Sequence, residues 1–162
     1  MRMRYLSFLS LLVPAFFLLS GHAVLKAQQG SSSAVKGGRW SDPATWSDRK
    51  APGAGAAVTI GKDMQVVLDV SPPALRSLTI NGKLSFANNK DLELTTEWIM
   101  LHGELEIGSE KTPHTRKATI TLTNNVPGED IDTMGDRGIM LMGGILSLHG
   151  NRKDSWTKLT KT

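Results

Sequence analysis

Two carboxylates come closest to a catalytic arrangement. Glu104 and Glu106 are two residues apart and alternate with Leu105 and Ile107, so both carboxylates should project from one face of a strand, ~7 Å apart. Glycosidases use carboxylate separations in that range. Catalytic carboxylates normally come from different strands across a cleft, however, and this alternation is typical of an exposed strand face. We therefore predict no catalytic residue and do not expect the chain itself to be an enzyme.

The most acidic stretch, residues 128–136, offers a weak calcium candidate formed by Asp130, Asp132 and Asp136. Clusters of carboxylate oxygens can hold calcium. Counted as an EF-hand loop from Asp130, however, the segment has Met134 at position five and Leu141 at position twelve, where the bidentate glutamate belongs. The default expectation is a solvated loop without metal.

The histidines and the glycine-rich segments give no stronger signal. His102 and His149 each precede a glycine at a strand end, and neither belongs to a motif that places two imidazoles on one face. We expect their ring nitrogens to bond nearby backbone, and we place His114 in a polar loop. No dinucleotide-binding loop or nucleophile motif is present, so no cofactor is expected.

Two tryptophans are candidate ligand-binding residues. Trp40 and Trp46 flank the turn-rich Ser41-Asp42-Pro43, and an exposed indole can stack on a sugar ring. The alternative is that both rings cap an open end of the core.

The amino-terminal segment predicts export. Arg2 and Arg4 precede an apolar run over residues 6–19, which is too short to span a bilayer, and small residues follow at Ala23 and Ala27. We interpret residues 1–27 as a signal peptide of bacterial type, which predicts a secreted or cell-surface protein with no membrane span after cleavage. The chain contains no cysteine, so disulfides and thiolate sites are excluded.

The charge balance argues against nucleic acid as a partner. Loss of Arg2, Arg4 and Lys26 with the signal leaves 16 basic against 15 acidic residues, whereas nucleic-acid binding needs a basic surface. Residues 28–37 are rich in Gly, Ser and Gln and are predicted to be a flexible linker. Residues 38–160 are enough for one domain.

Short segments with a period of two dominate that domain and predict an all-β fold. Helix is expected to be minor, with at most one or two turns around Pro73 to Ser77. The predicted strands contain residues 78–80, 84–86, 92–94, 105–107, 120–122 and 146–148.

Glycines recur with a longer period. Gly61, Gly82 and Gly103 are 21 residues apart, another such step reaches Asn124, and Gly144 follows 20 residues later. A repeat of this length predicts stacked rungs of short strands, as in a β-solenoid or β-helix, with Gly or Asn at the corners. A β-sandwich with evenly spaced hairpins is the alternative.

The order of these elements resembles the G-eight domain, a family named for its eight glycines. The resemblance covers residues 38–160 and includes Trp40-Ser41-Asp42-Pro43-Ala44-Thr45-Trp46, Gly103-Glu104-Leu105-Glu106-Ile107-Gly108-Ser109-Glu110, and the closing segment from Gly144 to Leu159 with Ser155-Trp156-Thr157. Residues that match the family's turn glycines are Gly61, Gly82, Gly103, Gly108, Gly144 and Gly150.

The resemblance implies a non-catalytic extracellular all-β module that supports binding of a polysaccharide such as hyaluronan. It also implies two alternatives: an architectural cap of a downstream β-helix in the same protein, or the leading part of a longer carbohydrate-degrading enzyme. On each of these interpretations the chain is the amino-terminal part of a longer protein.

Overall fold

The computed structural model of the protein describes residues 30–131 and 133–151. The predicted signal peptide and the Ser155-Trp156-Thr157 element lie outside these residues. The described residues form one short 3-10 turn, Pro43–Thr45, and twelve strands: β1 (Ser31–Ala34), β2 (Gly38–Arg39), β3 (Ala57–Ile60), β4 (Gln65–Leu68), β5 (Ser77–Ile80), β6 (Lys83–Phe86), β7 (Leu92–Thr96), β8 (Trp98–Leu101), β9 (Glu104–Ile107), β10 (Ala118–Leu122), β11 (Gly138–Leu141) and β12 (Ile145–Leu148).

The strands stack as rungs of a β-solenoid. Sheet A has the order β1-β3-β5-β8-β11, sheet B the order β12-β9-β6-β4-β2, and sheet C pairs β7 with β10. All nine strand pairs between the described strands are parallel. The chain thus passes through sheet A and then sheet B five times, which confirms the stacked solenoid and shows that the hairpin-based sandwich was the wrong alternative.

Inward-facing side chains form apolar columns along the stack. In sheet A, Leu78 pairs with Ile99 and Ile80 with Leu101, and all four residues are buried. In sheet B, Leu84 pairs with Leu105. Each of the six predicted alternating segments lies within a strand of the structure, because the period of two alternates side chains between the core and the outer surface.

One prediction about local structure was wrong. Residues 31–34, assigned to the flexible linker, form β1, which pairs with β3 and buries Ser32 and Ala34. This strand was not predicted because its inward-facing side chains are small and give no apolar alternation. No helix forms at 73–77; instead the backbone N–H groups of Leu75 and Arg76 donate to Thr95 and Ala56 on neighbouring rungs.

The first rung is closed at its free edge. The segment after the 3-10 turn folds back on β1, where Val35 N–H donates to the Thr45 carbonyl and Ser47 N–H to the Ser33 carbonyl. Trp46 Nε1 donates to the Trp40 carbonyl at 2.8 Å, and the two rings meet edge to face with centroids 4.8 Å apart. This arrangement covers both the sheet edge and the end of the core.

The last described rung is open by comparison. Leu141 continues the column of Leu101 and Leu148 continues that of Ile107, yet Leu141 is 51% exposed and Leu148 is 55% exposed, whereas Leu101 is 0% exposed. We call the inward-facing residues of this rung, Ile139, Leu141, Leu146 and Leu148, the end face. Among the described strands, β11 and β12 each have a neighbour on one side only.

Candidate functional site

A column of glycines lines the corner between sheets A and B. Gly61, Gly82, Gly103 and Gly144 follow β3, β5, β8 and β11. A Cβ atom at Gly82 or Gly103 would collide with carbonyl oxygens of the preceding rung, and one at Gly144 with the carbonyls of Leu101 and Gly103. None of these glycines has a positive φ, so close approach of the rungs is what requires glycine at positions 82, 103 and 144. A Cβ at Gly61 would make only ordinary contacts.

Asn124 does not belong to this column. It follows β10 in sheet C, and the corner of the next rung is formed by Gly144 after a long excursion over residues 123–137. The 21-residue spacing of the corner glycines is thus interrupted by this loop.

Because these glycines have no side chains, a groove runs along the solenoid axis at this corner. It encloses about 340 Å³. One wall is the outward-facing row of sheet B in which Gln65, Lys83, Glu104 and Ile145 are aligned by register, ~4.8 Å apart. The exposed His102, together with Asp63 and Met64, completes the lining.

Lys83 is the charged centre of this wall. Its Nζ lies 2.5 Å from Glu106 Oε2 and 3.3 Å from Glu104 Oε2. The hydrogen bond to Glu106 raises the pKa of Lys83, burial opposes that effect, and Glu104 adds to it. The two carboxylates first considered as a catalytic pair therefore share one lysine, and this ion-pair cluster of two carboxylates and one ammonium group carries a net negative charge.

A second ion-pair cluster fastens the long loop between β10 and β11. Arg76 pairs with Glu97, which is 2% exposed, and with Glu129 in the loop. Arg76 and Glu97 directly precede β5 and β8, so the cluster ties two rungs to the loop. Burial of Glu97 is tolerated because the guanidinium is its partner.

The calcium candidate lies in this same loop and stays untested. Asp130 Oδ1 accepts a hydrogen bond from Gly135 N–H at 3.0 Å, and Asp136 pairs with Arg137 at 3.4 Å. Asp132 lies outside the described residues. Within residues 30–131 and 133–151, no three His, Asp or Glu side chains are grouped as a metal site.

The structure corrects the proposed role of the two tryptophans. Trp40 is 0% exposed and Trp46 is 1% exposed, so both rings belong to the core and present no face to a sugar. Their alternative interpretation, capping of the core, fits the first rung. The sequence could not decide this, because a Trp beside a turn can face either the core or the solvent. The orientation is set by residues 45–47, which fold back on β1.

The remaining predicted positions have different environments. Gly108 has φ +71°, and a Cβ there would collide with the backbone of His149 and His114, whereas a Cβ at Gly150 would meet nothing. Nothing in the structure explains the glycine at position 150. His149 is half-buried at the end of β12.

Sequence reasoning missed three features. The groove could have been found from the glycine period, because a stacked column of glycines leaves a side-chain-free corner. The Arg76 cluster joins residues 53 positions apart in sequence and gives no local signal. His114, expected in a polar loop, is only 4% exposed.

Comparisons with known proteins show the family to which the chain is similar. A model of the G8 domain family matches residues 45–160. The chain is 34% identical to human fibrocystin-L over 126 residues, which is 76% of this chain and 3% of that protein. It is 35% identical to mouse fibrocystin over 116 residues, covering 70% of this chain and 3% of the relative.

A third relative has an enzymatic name. The human cell surface hyaluronidase CEMIP2 is 38% identical over 89 residues, which is half of this chain and 6% of the relative. No solved structure matches the chain. Within the described part of the chain, no helix is long and apolar enough to cross a membrane.

The chain thus covers only a small fraction of the length of these relatives, and the family match extends over most of the solenoid. The G-eight resemblance found in the sequence is confirmed. This protein belongs to the G8 domain family.

Proposed function

We propose that this protein is a non-catalytic extracellular module that forms the first rungs of a longer β-solenoid. The observation that carries the proposal is the end face. Leu141 and Leu148 continue the columns of the core but are more than half exposed. Burying such side chains is favourable by ~1.5–3 kcal/mol each, so a further rung stacked on β11 and β12 would be stabilised by them.

The contrast between the two ends supports a direction for this stacking. The first rung has its edge covered by residues 45–47 and its core closed by Trp40 and Trp46. Terminal rungs of repeat proteins need such caps, whereas internal rungs do not. The capped end is therefore the start of the stack, and the open end is where it continues.

The relatives support both the setting and the modular role. The chain corresponds to 3% of fibrocystin-L and 6% of CEMIP2, as expected for one module of a large protein. The name of CEMIP2 places it at the cell surface, and the predicted signal peptide agrees with an extracellular position for this chain.

Cysteine labelling tests this proposal, since the chain has no cysteine of its own. Leu141→Cys and Leu148→Cys are compared in residues 28–162 and in the complete gene product, with Val67→Cys on the outer surface as control. We expect a maleimide to label the end-face cysteines at least tenfold more slowly in the complete product, with the control unchanged. Equal labelling, or a gene product without residues beyond Thr162, would overturn the proposal.

A second candidate function is polysaccharide binding in the glycine groove. The groove is open, runs along the stack, and combines the polar Gln65, Lys83 and Glu104 with the apolar Met64 and Ile145. Sites that hold sugars need such mixed surfaces. The name of the relative CEMIP2 makes hyaluronan the first polysaccharide to test. A neutral polysaccharide is the comparison, because Asp63 and Glu104 in the groove would repel the carboxylates of hyaluronan.

Titration calorimetry with hyaluronan and with a neutral polysaccharide tests this second function. We expect a double variant, Gln65→Ala with Lys83→Ala, to weaken binding at least tenfold, while Lys90→Ala, on an exposed turn away from the groove, leaves it unchanged. Absence of binding to both polymers would exclude the function.

The third alternative makes the parent protein a carbohydrate-degrading enzyme to which this chain contributes structure. On that proposal Glu104 and Glu106 act only through their ion pairs with Lys83. Alanine at both positions should leave the activity of the complete enzyme unchanged, and loss of activity in a folded variant would assign them a larger role.

A further inference from the structure

In the loop between β9 and β10, the side chain of His114 points into the protein. His114 is 4% exposed, and neither ring nitrogen has a hydrogen-bond partner among the described residues. A buried imidazole without a partner is an unfavourable arrangement, since buried polar groups are normally hydrogen-bonded. The surrounding structure must therefore hold the ring in place.

Asn88 supplies much of that constraint from the neighbouring rung. Its Nδ2 donates to the Pro113 carbonyl at 3.1 Å, and its Oδ1 accepts from Thr115 N–H at 2.7 Å and from the Thr115 hydroxyl at 3.0 Å. The residues on both sides of His114 are thus clamped by one amide side chain. With its neighbours fixed, the imidazole between them is directed inward.

The same loop is attached to the last described rung. His114 N–H donates to the His149 carbonyl at 2.7 Å, and His114 forms a parallel bridge with Gly150. Gly108 lies against both backbone segments with no room for a Cβ. Through these contacts, the position of the loop and that of the residues after β12 depend on each other.

The charged groups near the loop do not compensate a proton on the ring. Its own segment carries Glu110, Lys111 and Arg116, and the last rung contributes His149. On the clamp side, Lys90 is exposed and Asp91 pairs with Arg116 at 3.1 Å. No carboxylate of the described residues bonds the imidazole, so an imidazolium here would be a buried charge without a counter-ion.

We propose that His114 is an acid-sensitive latch, whose protonation releases residues 108–116 from the last described rung. The direction follows from burial, which lowers the pKa of His114 below the ordinary 6.5. The closed state is fully stabilised above that ordinary value. This stabilisation of the closed state is lost as the pH falls from 6.5 through the lower pKa that His114 has in the closed state. The reason is that the imidazole takes up a proton more readily in the open state.

Hydrogen exchange of the purified protein tests the latch. After correction for the intrinsic pH dependence, we expect the opening equilibrium of residues 108–116 to rise by up to tenfold per pH unit below 6.5, as uptake of one proton requires. His114→Leu should remove this slope. The exposed His102→Leu is the matched control and should keep it.

A second measurement keeps the test decisive if His114→Leu does not fold. The NMR titration of the unmodified protein should give His114 a pKa below 6.5. A pKa at or above this value, or an opening equilibrium of residues 108–116 that does not change with pH, would overturn the latch.

Discussion

Glycines act in this protein mainly through the space that they leave. At Gly82, Gly103 and Gly144 the backbone of one rung lies where a Cβ would be. The strands on either side can stack at ~4.8 Å only if the corner stays this narrow. Any side chain there pushes two rungs apart at the point where both sheets change direction.

We predict that Gly103→Ala destabilises the protein by about 1–3 kcal/mol, the usual range for overpacking. Gly150→Ala is the matched control, because a Cβ at Gly150 meets nothing within 4 Å, and it should change the free energy of unfolding by less than about 0.5 kcal/mol. Urea denaturation of both variants measures the difference. Equal stabilities would show that the rungs separate at the corner without cost.

Lys83 gives a prediction for alkaline pH. Its pKa is raised in the folded protein by Glu106 and Glu104, so its contribution to stability is fully present below the ordinary value of 10.5 and is lost as the pH rises through the folded value. Because the group is partly exposed, the contribution is below about 1 kcal/mol.

Urea denaturation from neutral pH to above 10.5 should show this loss for the unmodified protein and a smaller one for Lys83→Met. Lys117→Met, at an exposed lysine directly before β10, serves as control and should follow the unmodified protein. Identical pH profiles for Lys83→Met and the unmodified protein would show that the ion pairs of Lys83 do not contribute to the pH dependence of stability.

At the scale of the elements, the rungs are chemically similar but differ in what covers them. Leu105 in β9 and Leu148 in β12 both face inward in sheet B, yet Leu105 is 0% exposed and Leu148 is 55% exposed. The free energy that a leucine contributes depends on its burial. Position within the stack, rather than residue type, therefore sets the contribution.

Leu105→Ala should destabilise the protein by about 2–5 kcal/mol, as large-to-small changes in a core do. Leu148→Ala should lower the free energy of unfolding by only about 0.5 kcal/mol in residues 28–162. Thermal or urea denaturation checks both values. A loss at Leu148 as large as that at Leu105 would mean that the end face is covered in this part of the protein.

At the scale of the whole molecule, stability should fall along the stack. Strands β5, β6, β8 and β9 have a neighbour on both sides, whereas β11 and β12 have one among the described strands. In stacked repeats, stability is carried by contacts between neighbouring rungs. A rung with one neighbour and an open apolar face is therefore expected to open more readily.

Hydrogen exchange at neutral pH should show this gradient. We expect amides of β8 and β9 to exchange at least tenfold more slowly than those of β11 and β12, since local opening of the last rung breaks one interface instead of two. Comparable protection of all four strands would contradict the gradient and would favour a closed last rung.

The sequence by itself determined six of the strands and predicted stacked rungs, with a β-sandwich as the alternative that the structure then excluded. Alternation in segments such as residues 84–86 and 105–107 is a local property of the chain, and the spacing of Gly61, Gly82 and Gly103 repeats because each rung must return to the same corner. The family was identified separately, from the resemblance of motifs such as Trp40 to Trp46 and Gly103 to Glu110 to those of the G-eight domain. Features that repeat with the rungs could thus be predicted from the sequence alone.

Only the tertiary structure decided the features that do not repeat. It showed that β1 forms from small residues because β3 offers its edge, and that Trp40 and Trp46 face the core. It also placed Arg76 against Glu129 and buried His114 between two residues that Asn88 holds. These contacts join residues far apart in sequence, and their free energies depend on burial and partners that exist only once the rungs have stacked.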